Sequence, residues 1–482
     1  MRKLSFSLVG IGLLLVVFFA LADTLGLGGD RGIGATQLLG IQAGALFVLL
    51  GIGLLTVKWE GETIFRKRFE IAQIFNVPYL YWILFTFLIV YVSFFLLPVF
   101  FSKLQMQYLT KYIPDAFVTH IGFDIESIVS RIENWLRTGV SPYADEFIAY
   151  PPLAVAVFAT FSLIGYPAYF KLMVSITVLA YLITALVIPF SLVPKRNRVL
   201  LILFFITGLF SYGLQFEQER GQFNLIAFTL CLSAIYIFHF HYKFRYFAYL
   251  LFTVAVQLKV YPVFFVVMFI GDWRDWRAIL KRFLGLGLLN FSLLFILGYR
   301  LFLDFIKTIT GYQLLESSRY ENLSIKGFVT YLSSTHPGLT EIPFWILLGI
   351  CFLSVVGYAF YCNRRGLNPY LLLICTLAAL IIPSVSNDYK LSLLIAPIAL
   401  FFCCLPEVNN ASKKTLLTTL VIFASLAYWT TLFPATVKPE FLSRNFPALV
   451  VIMISVTMLN FLAPYSYEGT VQENNHTAEL ET

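Results

Sequence analysis

The sequence predicts an all-α, polytopic membrane bundle of about a dozen crossings with a re-entrant hairpin and exoplasmic amphipathic helices, and three observations carry that expectation. Hydrophobic residues make up 59% of the 482 and charged residues only 12%, roughly half of what a soluble surface needs. The mean hydropathy is +0.82. The apolar residues fall in runs close to the ~20 needed to cross a hydrocarbon core, and such runs must be helical because an unpaired backbone cannot face lipid. With 50 Phe and 27 Tyr the chain also has the aromatics of an interfacial belt.

Taken in chain order, the predicted spans are 4–21, 35–57, 79–101, 172–193, 199–214, 225–240, 283–299, 344–360, 369–383, 391–405, 416–432 and 448–462. Met1-Arg2-Lys3 precedes the first run without a small-residue cleavage site after it, so an uncleaved first helix is expected. The net charge of +8 resides largely in short basic loops: 66–68, 195–198, 243–245, 274–282, 364–365 and 413–414. All fall on the cytoplasmic side if the N-terminus does, which satisfies the positive-inside rule and reads the excess as membrane orientation, not nucleic-acid binding.

Two apolar stretches resist simple counting. One crossing at 151–165 would put the 195–198 loop outside, so a shallow exoplasmic helix is expected there. The stretch 250–270 is split by Lys259 and Pro262 and reads as a re-entrant hairpin with both ends cytoplasmic. Irregular backbone at that depth belongs where protein buries it or water lines it. The long hydrophilic loops 102–150 and 300–342 then lie on the exoplasmic side. The chain divides into an N-terminal hairpin and loop (1–78), a core (79–405), C-terminal spans (406–463) and an acidic, disordered tail (464–482).

In the first long loop, Ile125, Ile128, Val129, Ile132, Trp135 and Leu136 share one helical face, which predicts an amphipathic helix on the membrane surface. Asp124 stands at its N-terminal end, either as a helix cap or as a general base beside a membrane cavity. Tyr143 and Tyr150-Pro151-Pro152 follow, as a turn or as a fold of the loop back over Asp124. Arg220-Gly221-Gln222-Phe223-Asn224 opens a span with donors for an anion or sugar hydroxyls, or with a snorkelling Arg beside a polar cap. Lys259, in Leu258-Lys259-Val260-Tyr261-Pro262, is an ammonium near membrane depth. Such a group lines a cavity, neutralises a phosphate, or pairs with a carboxylate such as Glu217 or Glu219. Asn322-Leu323-Ser324 and the 386–390 turn with Lys390 complete the candidates. The five His have no metal spacing, no Cys-x-x-Cys occurs among the 6 Cys, and no nucleotide-binding Gly-rich loop is present. No metal or other cofactor is expected.

In this order and spacing, Asp124, Gly139 to Tyr143, Tyr150-Pro151-Pro152, Gly221 to Asn224, Leu258 to Pro262 and Asn322-Leu323-Ser324 resemble bacterial glycosyltransferase family 87, a GT-C-type membrane group, over about 123–390. The family includes polyprenyl-phosphate-mannose-dependent enzymes. The sequence differs from that pattern at Ile128, where an aromatic is often found, and in the additional hairpin 4–57. The resemblance implies a polyprenyl-phosphate sugar donor, a glycolipid or polysaccharide acceptor, and an inverting transfer on the exoplasmic face of a bacterial plasma membrane. It implies Asp124 as base and Lys259 with nearby polar groups at the donor site. Arg220 and Lys390 are the further cations expected at the donor phosphate, where negative charge develops, and Tyr143, Tyr150, Gln222, Asn224, Tyr261, Asn322 and Ser324 are the expected substrate contacts. Two other classes fit the composition. A transporter or lipid flippase would show an internal repeat, which is not found. A non-catalytic scaffold would leave Asp124, Gln222 and Lys259 apart in space.

Overall fold

A computed structural model describes residues 2–20, 77–101, 121–144, 148–271, 274–316, 322–335, 342–361, 367–405 and 411–432, with isolated positions in 40–51 and 447–454. Among them the fold is all-helical, without a strand. In chain order the helices are α1 (Arg2–Ala20), α2 (Val77–Tyr91), α3 (Phe123–Thr138), α4 (Pro152–Phe161), α5 (Ala168–Leu182), α6 (Arg198–Leu209), α7 (Tyr212–Arg220), α8 (Asn224–Phe240) and α9 (Arg245–Leu258). They continue with α10 (Trp276–Leu293), α11 (Tyr299–Glu316), α12 (Ile325–Thr335), α13 (Ile342–Tyr361), α14 (Pro369–Ile381), α15 (Ile395–Cys403) and α16 (Ala411–Leu432). Two 3-10 segments, Tyr261–Phe269 and Asp388–Leu394, follow α9 and precede α15.

Length and apolarity qualify two stretches as crossings: α5 with its helical continuation through Ile183–Val187 and Ile188–Leu192, together Ala168–Leu192, and Thr415–Leu432 within α16. A third crossing forms if α6 and α7, bent by 46° at their break, are counted together. They correspond to the expected spans 172–193, 416–432 and 199–214. The other apolar stretches that qualify by composition, such as Asn224–Phe240, Ile342–Tyr358 and Pro369–Ile381, are 10 to 17 residues long, so the count of about twelve is not established among the described residues. The expected spans 35–57 and 448–462 and the acidic tail lie outside the described residues, isolated positions apart. The stretch 151–165 contains only the ten-residue α4, about 15 Å long and too short to cross. The stretch 250–270 is broken where the sequence suggests: α9 stops at Leu258, Lys259 is extended at φ −145°, and the chain resumes as the Tyr261–Phe269 segment.

Two expectations change. Most of the apolar face of α3 is covered by protein: Ile125, Ile128, Val129 and Ile132 are buried, with α3 packed on α4 and α7, while Leu136 at its end is exposed. Helical periodicity marks a face that must be covered, but it does not distinguish protein from lipid. The loop 300–342 likewise contains helices α11 and α12. Leu301, Phe305 and Thr308 bury one face of α11, and Thr308 Oγ1 donates to the Tyr143 carbonyl at 3.0 Å.

The core is built where α8 lies along α9 and α6 against α15, around Phe205, Phe228, Phe265, Phe269 and Phe401. Into it projects one helix of contrary composition. In α7, Gln215, Glu217, Gln218 and Glu219 are all buried. Each has a role in holding the helix there. Gln215 Nε2 donates to the Leu209 carbonyl at 2.7 Å, and Gln218 Nε2 and Tyr91 Oη lie 2.6 Å apart. Glu219 presents its carbonyl to the Gly122 N–H at 2.7 Å. Glu217 accepts from the Leu225 N–H at 2.6 Å and from the Ser392 hydroxyl, so a carboxylate caps α8 where its free N–H groups concentrate positive charge.

Backbone contact sets the distance between α7 and the Asp388–Leu394 segment. A Cβ on Gly213 would stand 2.6 Å from the Ser392 nitrogen. Gly213→Ala is therefore expected to destabilise the protein by about 1 to 3 kcal/mol, the range for overpacking. Gly285→Ala, whose Cβ meets nothing within 4 Å, should be neutral or slightly stabilising. Thermal unfolding of the two variants in lipid nanodiscs checks the contrast.

Candidate active site

The site forms where α3, α7 and the break after α9 meet. Gly122 begins α3 with φ 83°, a conformation that costs a residue with a side chain about 1 to 2 kcal/mol. At the other side of the contact, α7 ends in a Schellman turn: Gly221 has φ 68°, its N–H bonds the Gln218 carbonyl at 3.1 Å, and the Gln222 N–H bonds the Glu217 carbonyl at 2.9 Å. A Cβ on Gly221 would lie 2.6 Å from Ile125 Cγ2. Gly221 thus allows the end of α7 to rest on Ile125, next to Asp124, while a Cβ on Gly122 would stand 2.9 Å from the Phe170 ring of α5.

Asp124 is not the cap of its helix. Gly122 occupies that position, and the carboxylate turns across the interface to α7. Its Oδ2 accepts from Gln222 Nε2 at 2.6 Å, and its Oδ1 lies 3.4 Å from an Arg220 guanidinium nitrogen. The Asp124 and Arg220 side chains are 18% and 17% exposed, so the pair is partly open to solvent. Arg220 also lies over the Phe216 ring at 5.0 Å, and its Nε is buried without a hydrogen-bond partner.

Gln222 links the carboxylate to the buried cation. Its Oε1 accepts from Lys259 Nζ at 3.1 Å, with the Tyr150 hydroxyl 3.5 Å away. Lys259 is 8% exposed. Its ammonium lies 3.3 Å from the Tyr150 hydroxyl, 4.3 Å from that ring's centre and 4.5 Å from the centre of Phe223. A cation between two aromatic faces recovers part of its lost hydration, by about 2 kcal/mol where water is excluded. Glu217 attracts this ammonium and Lys390 repels it, yet neither carboxylate offered by the sequence as a direct partner, Glu217 or Glu219, forms an ion pair with it. Lys390 lies in the turn between α14 and α15, donates to the Val385 carbonyl at 3.1 Å, and is depressed by burial to about 8.

The remaining candidates divide by position. Tyr143 is buried, and its hydroxyl donates to the Tyr150 carbonyl at 2.9 Å. Burial, reinforced by Asp304, raises that hydroxyl above the usual tyrosine range. Tyr261 donates to the Asn224 carbonyl at 2.6 Å. Asn322 and Ser324 are buried on the backbone of 384–386. Asn322 Nδ2 and Ser324 Oγ donate to the Ser384 carbonyl at 2.7 and 2.8 Å, and Asn322 Oδ1 accepts from the Ser386 N–H at 2.9 Å. These four act on neighbouring backbone and hold the walls of the site. Asn224 is different: it is fully buried, and neither atom of its side-chain amide has a hydrogen-bond partner.

Sequence reasoning missed two contributors. Phe223 was quoted in its motif but not as a wall for Lys259, and Ser392 was not singled out. The first was detectable as an aromatic beside a polar run; a lone Ser in an apolar segment carries no comparable signal.

Residues 147–386, about half of the chain, match glycosyltransferase family 87. The chain carries a domain of that family. Comparison with curated proteins finds no match. The family 87 domain implies glycosyltransferase activity, with a sugar donor and an acceptor, and together with the apolar helices it implies a membrane protein. Tyr150, Gln222, Asn224, Lys259, Asn322 and Ser324 lie inside the matched region. Asp124, Tyr143 and Lys390 lie outside it; Asp124 is joined to the site by Gln222 and Arg220, Tyr143 by its bond to the Tyr150 carbonyl, and Lys390 acts on Lys259 through its charge.

A buried amide without partners costs about 1 to 3 kcal/mol for each unpaired group. Asn224→Leu is expected to raise the thermal midpoint while lowering sugar transfer at least tenfold. Parallel loss of stability and activity would make the amide a structural element instead.

Proposed function

We propose that the protein transfers a hexose from a polyprenyl-phosphate sugar to an acceptor hydroxyl on the exoplasmic face of the membrane, with Asp124 as general base. Mannose is the sugar favoured by the family resemblance. The observation that carries the proposal is the convergence of a partly exposed carboxylate, Asp124, with Arg220, Gln222 and Lys259. A scaffold has no need to bring these groups together.

In the proposed reaction, the acceptor oxygen attacks the anomeric carbon as Asp124 takes its proton. The bond from that carbon to the phosphate oxygen breaks, and polyprenyl phosphate leaves with one more negative charge. A single displacement inverts the anomeric configuration. Fixed cations stabilise the developing charge more than the ground state and so lower the barrier. Arg220, with its unpartnered Nε, and Lys390 are the groups proposed to meet the phosphate, with the Lys259 charge behind them. The mutual repulsion of Lys390 and Lys259 is the condition an anion between them would relieve. The Asn224 amide is proposed to meet a sugar hydroxyl.

The test is sugar transfer by purified protein in lipid, with a panel of polyprenyl-phosphate sugars and an envelope extract as acceptor, followed by mass spectrometry. Transfer from one donor by the wild type is expected, with Asp124→Asn folded but slower by at least about two orders of magnitude. Near-normal turnover in that variant would remove Asp124 from the reaction. No transfer from any donor would favour transport, which flux into sealed vesicles would then measure.

A further inference from the structure

The chain from Lys259 through Gln222 to Asp124 has a direction. An ammonium can only donate hydrogen bonds, and a carboxylate can only accept them. An amide placed between the two therefore has one favourable orientation, with its oxygen toward Lys259 and its NH2 toward Asp124. The distances agree, 3.1 Å from Lys259 Nζ to Gln222 Oε1 and 2.6 Å from Gln222 Nε2 to Asp124 Oδ2. The assignment follows from the chemistry of the two ends and not from the placement of amide atoms alone. Gln222 is 3% exposed, and its backbone is held by the Schellman turn at Gly221. Lys259 is held in turn by the rings of Tyr150 and Phe223. The Gln222 backbone and the Lys259 ammonium are thus each held by contacts outside the chain.

The consequence lies at the carboxylate. Oδ2 is engaged by a short bond to the amide, whereas Oδ1 has only the longer Arg220 contact at 3.4 Å. We propose that Gln222 is a positioning residue whose amide, oriented by Lys259, holds Asp124 through Oδ2 and leaves Oδ1 to take the proton of the acceptor. This deepens the sugar-transfer reading and rests on it. Lys259 then acts on the base through Gln222 in addition to its direct charge. The charged groups around the carboxylate are Arg220 from α7 and Lys259 from the break after α9, with Glu126 on its own helix. Lys259 faces Glu217 and Lys390 in addition.

The experiment follows the protonation of Asp124 directly, by infrared difference spectroscopy of the full-length protein in nanodiscs across a pH series. The Asp124 carboxyl band is the one that Asp124→Asn removes. Lys259→Met is expected to raise the midpoint by about one pH unit, because an opposite charge and an oriented donor are lost together. Gln222→Glu keeps the shape and the Lys259 contact but sets two carboxyl groups face to face, and is expected to raise the midpoint further. In a Gln222→Leu background, Lys259→Met should move the midpoint by less than half as much as in the wild type. The acid limb of kcat should move with the midpoint in each variant.

An unmoved midpoint in Gln222→Glu would overturn the proposal. So would a Lys259→Met shift of the same size with and without Gln222, which would leave only direct charge. Should wild type transfer no sugar while the midpoints shift as expected, the reaction assignment falls and the orientation of the carboxylate stands.

Discussion

A lysine ammonium enclosed by an apolar bundle has few ways to remain charged, and the rest of the site follows from how Lys259 does so. Among the described residues it has no ion-pair partner in contact. It has two aromatic faces, a phenol hydroxyl and an amide oxygen. Leaving such a charge without partners would cost several kcal/mol even after relaxation, so each surrounding group is constrained in identity and in orientation. The constraint passes along the chain: the amide must show its oxygen to the lysine, its NH2 then faces Asp124, and Asp124 must lie within reach. Gly122 and Gly221 matter because they leave room for the Phe170 ring and the Ile125 side chain where the Gly122 N–H ties α3 to the Glu219 carbonyl of α7.

Outside this chain, much of the polar chemistry serves backbone. Tyr143 holds the Tyr150 carbonyl, Thr308 holds the Tyr143 carbonyl, Asn322 and Ser324 hold residues 384–386, and Glu217 caps α8. In an interior without water each carbonyl and N–H released from regular helix needs a partner, and breaks at Ser211, Lys259 and the 384–388 turn release several. The site is thus surrounded by irregular backbone that side chains hold rigid. That arrangement suits transition-state stabilisation, which depends on groups fixed before the reaction begins. Among the described residues several buried polar atoms have no hydrogen-bond partner, and of the candidate site residues these are the Asn224 amide and Arg220 Nε.

Much of this was legible in the sequence. An Asp at the start of an amphipathic run, an Arg-Gly-Gln-Phe-Asn segment opening a span, and a Lys-Val-Tyr-Pro break inside an apolar stretch are each costly in a membrane, and their chemistry identified the groups that converge. The break at Lys259 was also readable, because Pro262 and a charge interrupt the same run. Other features depend on tertiary contact. The periodicity of α3 gave the correct face but not its covering. Tyr143, Asn322 and Ser324 read as substrate contacts because a motif does not show whether a side chain faces a ligand or the neighbouring backbone. The number of crossings was inferred from apolarity, and among the described residues two stretches, or three with the bent pair, have both the length and the apolarity of a crossing.

The most direct test of the account is a cryo-EM structure of the protein with a non-hydrolysable polyprenyl-phosphate sugar analogue in lipid. The account predicts the phosphate within hydrogen-bond reach of Arg220 or Lys390, the sugar against the Asn224 amide, and the anomeric carbon facing Asp124 Oδ1 with Gln222 still bridging Oδ2 to Lys259. An analogue bound with its sugar remote from Asp124, or Gln222 turned away from the carboxylate, would contradict it.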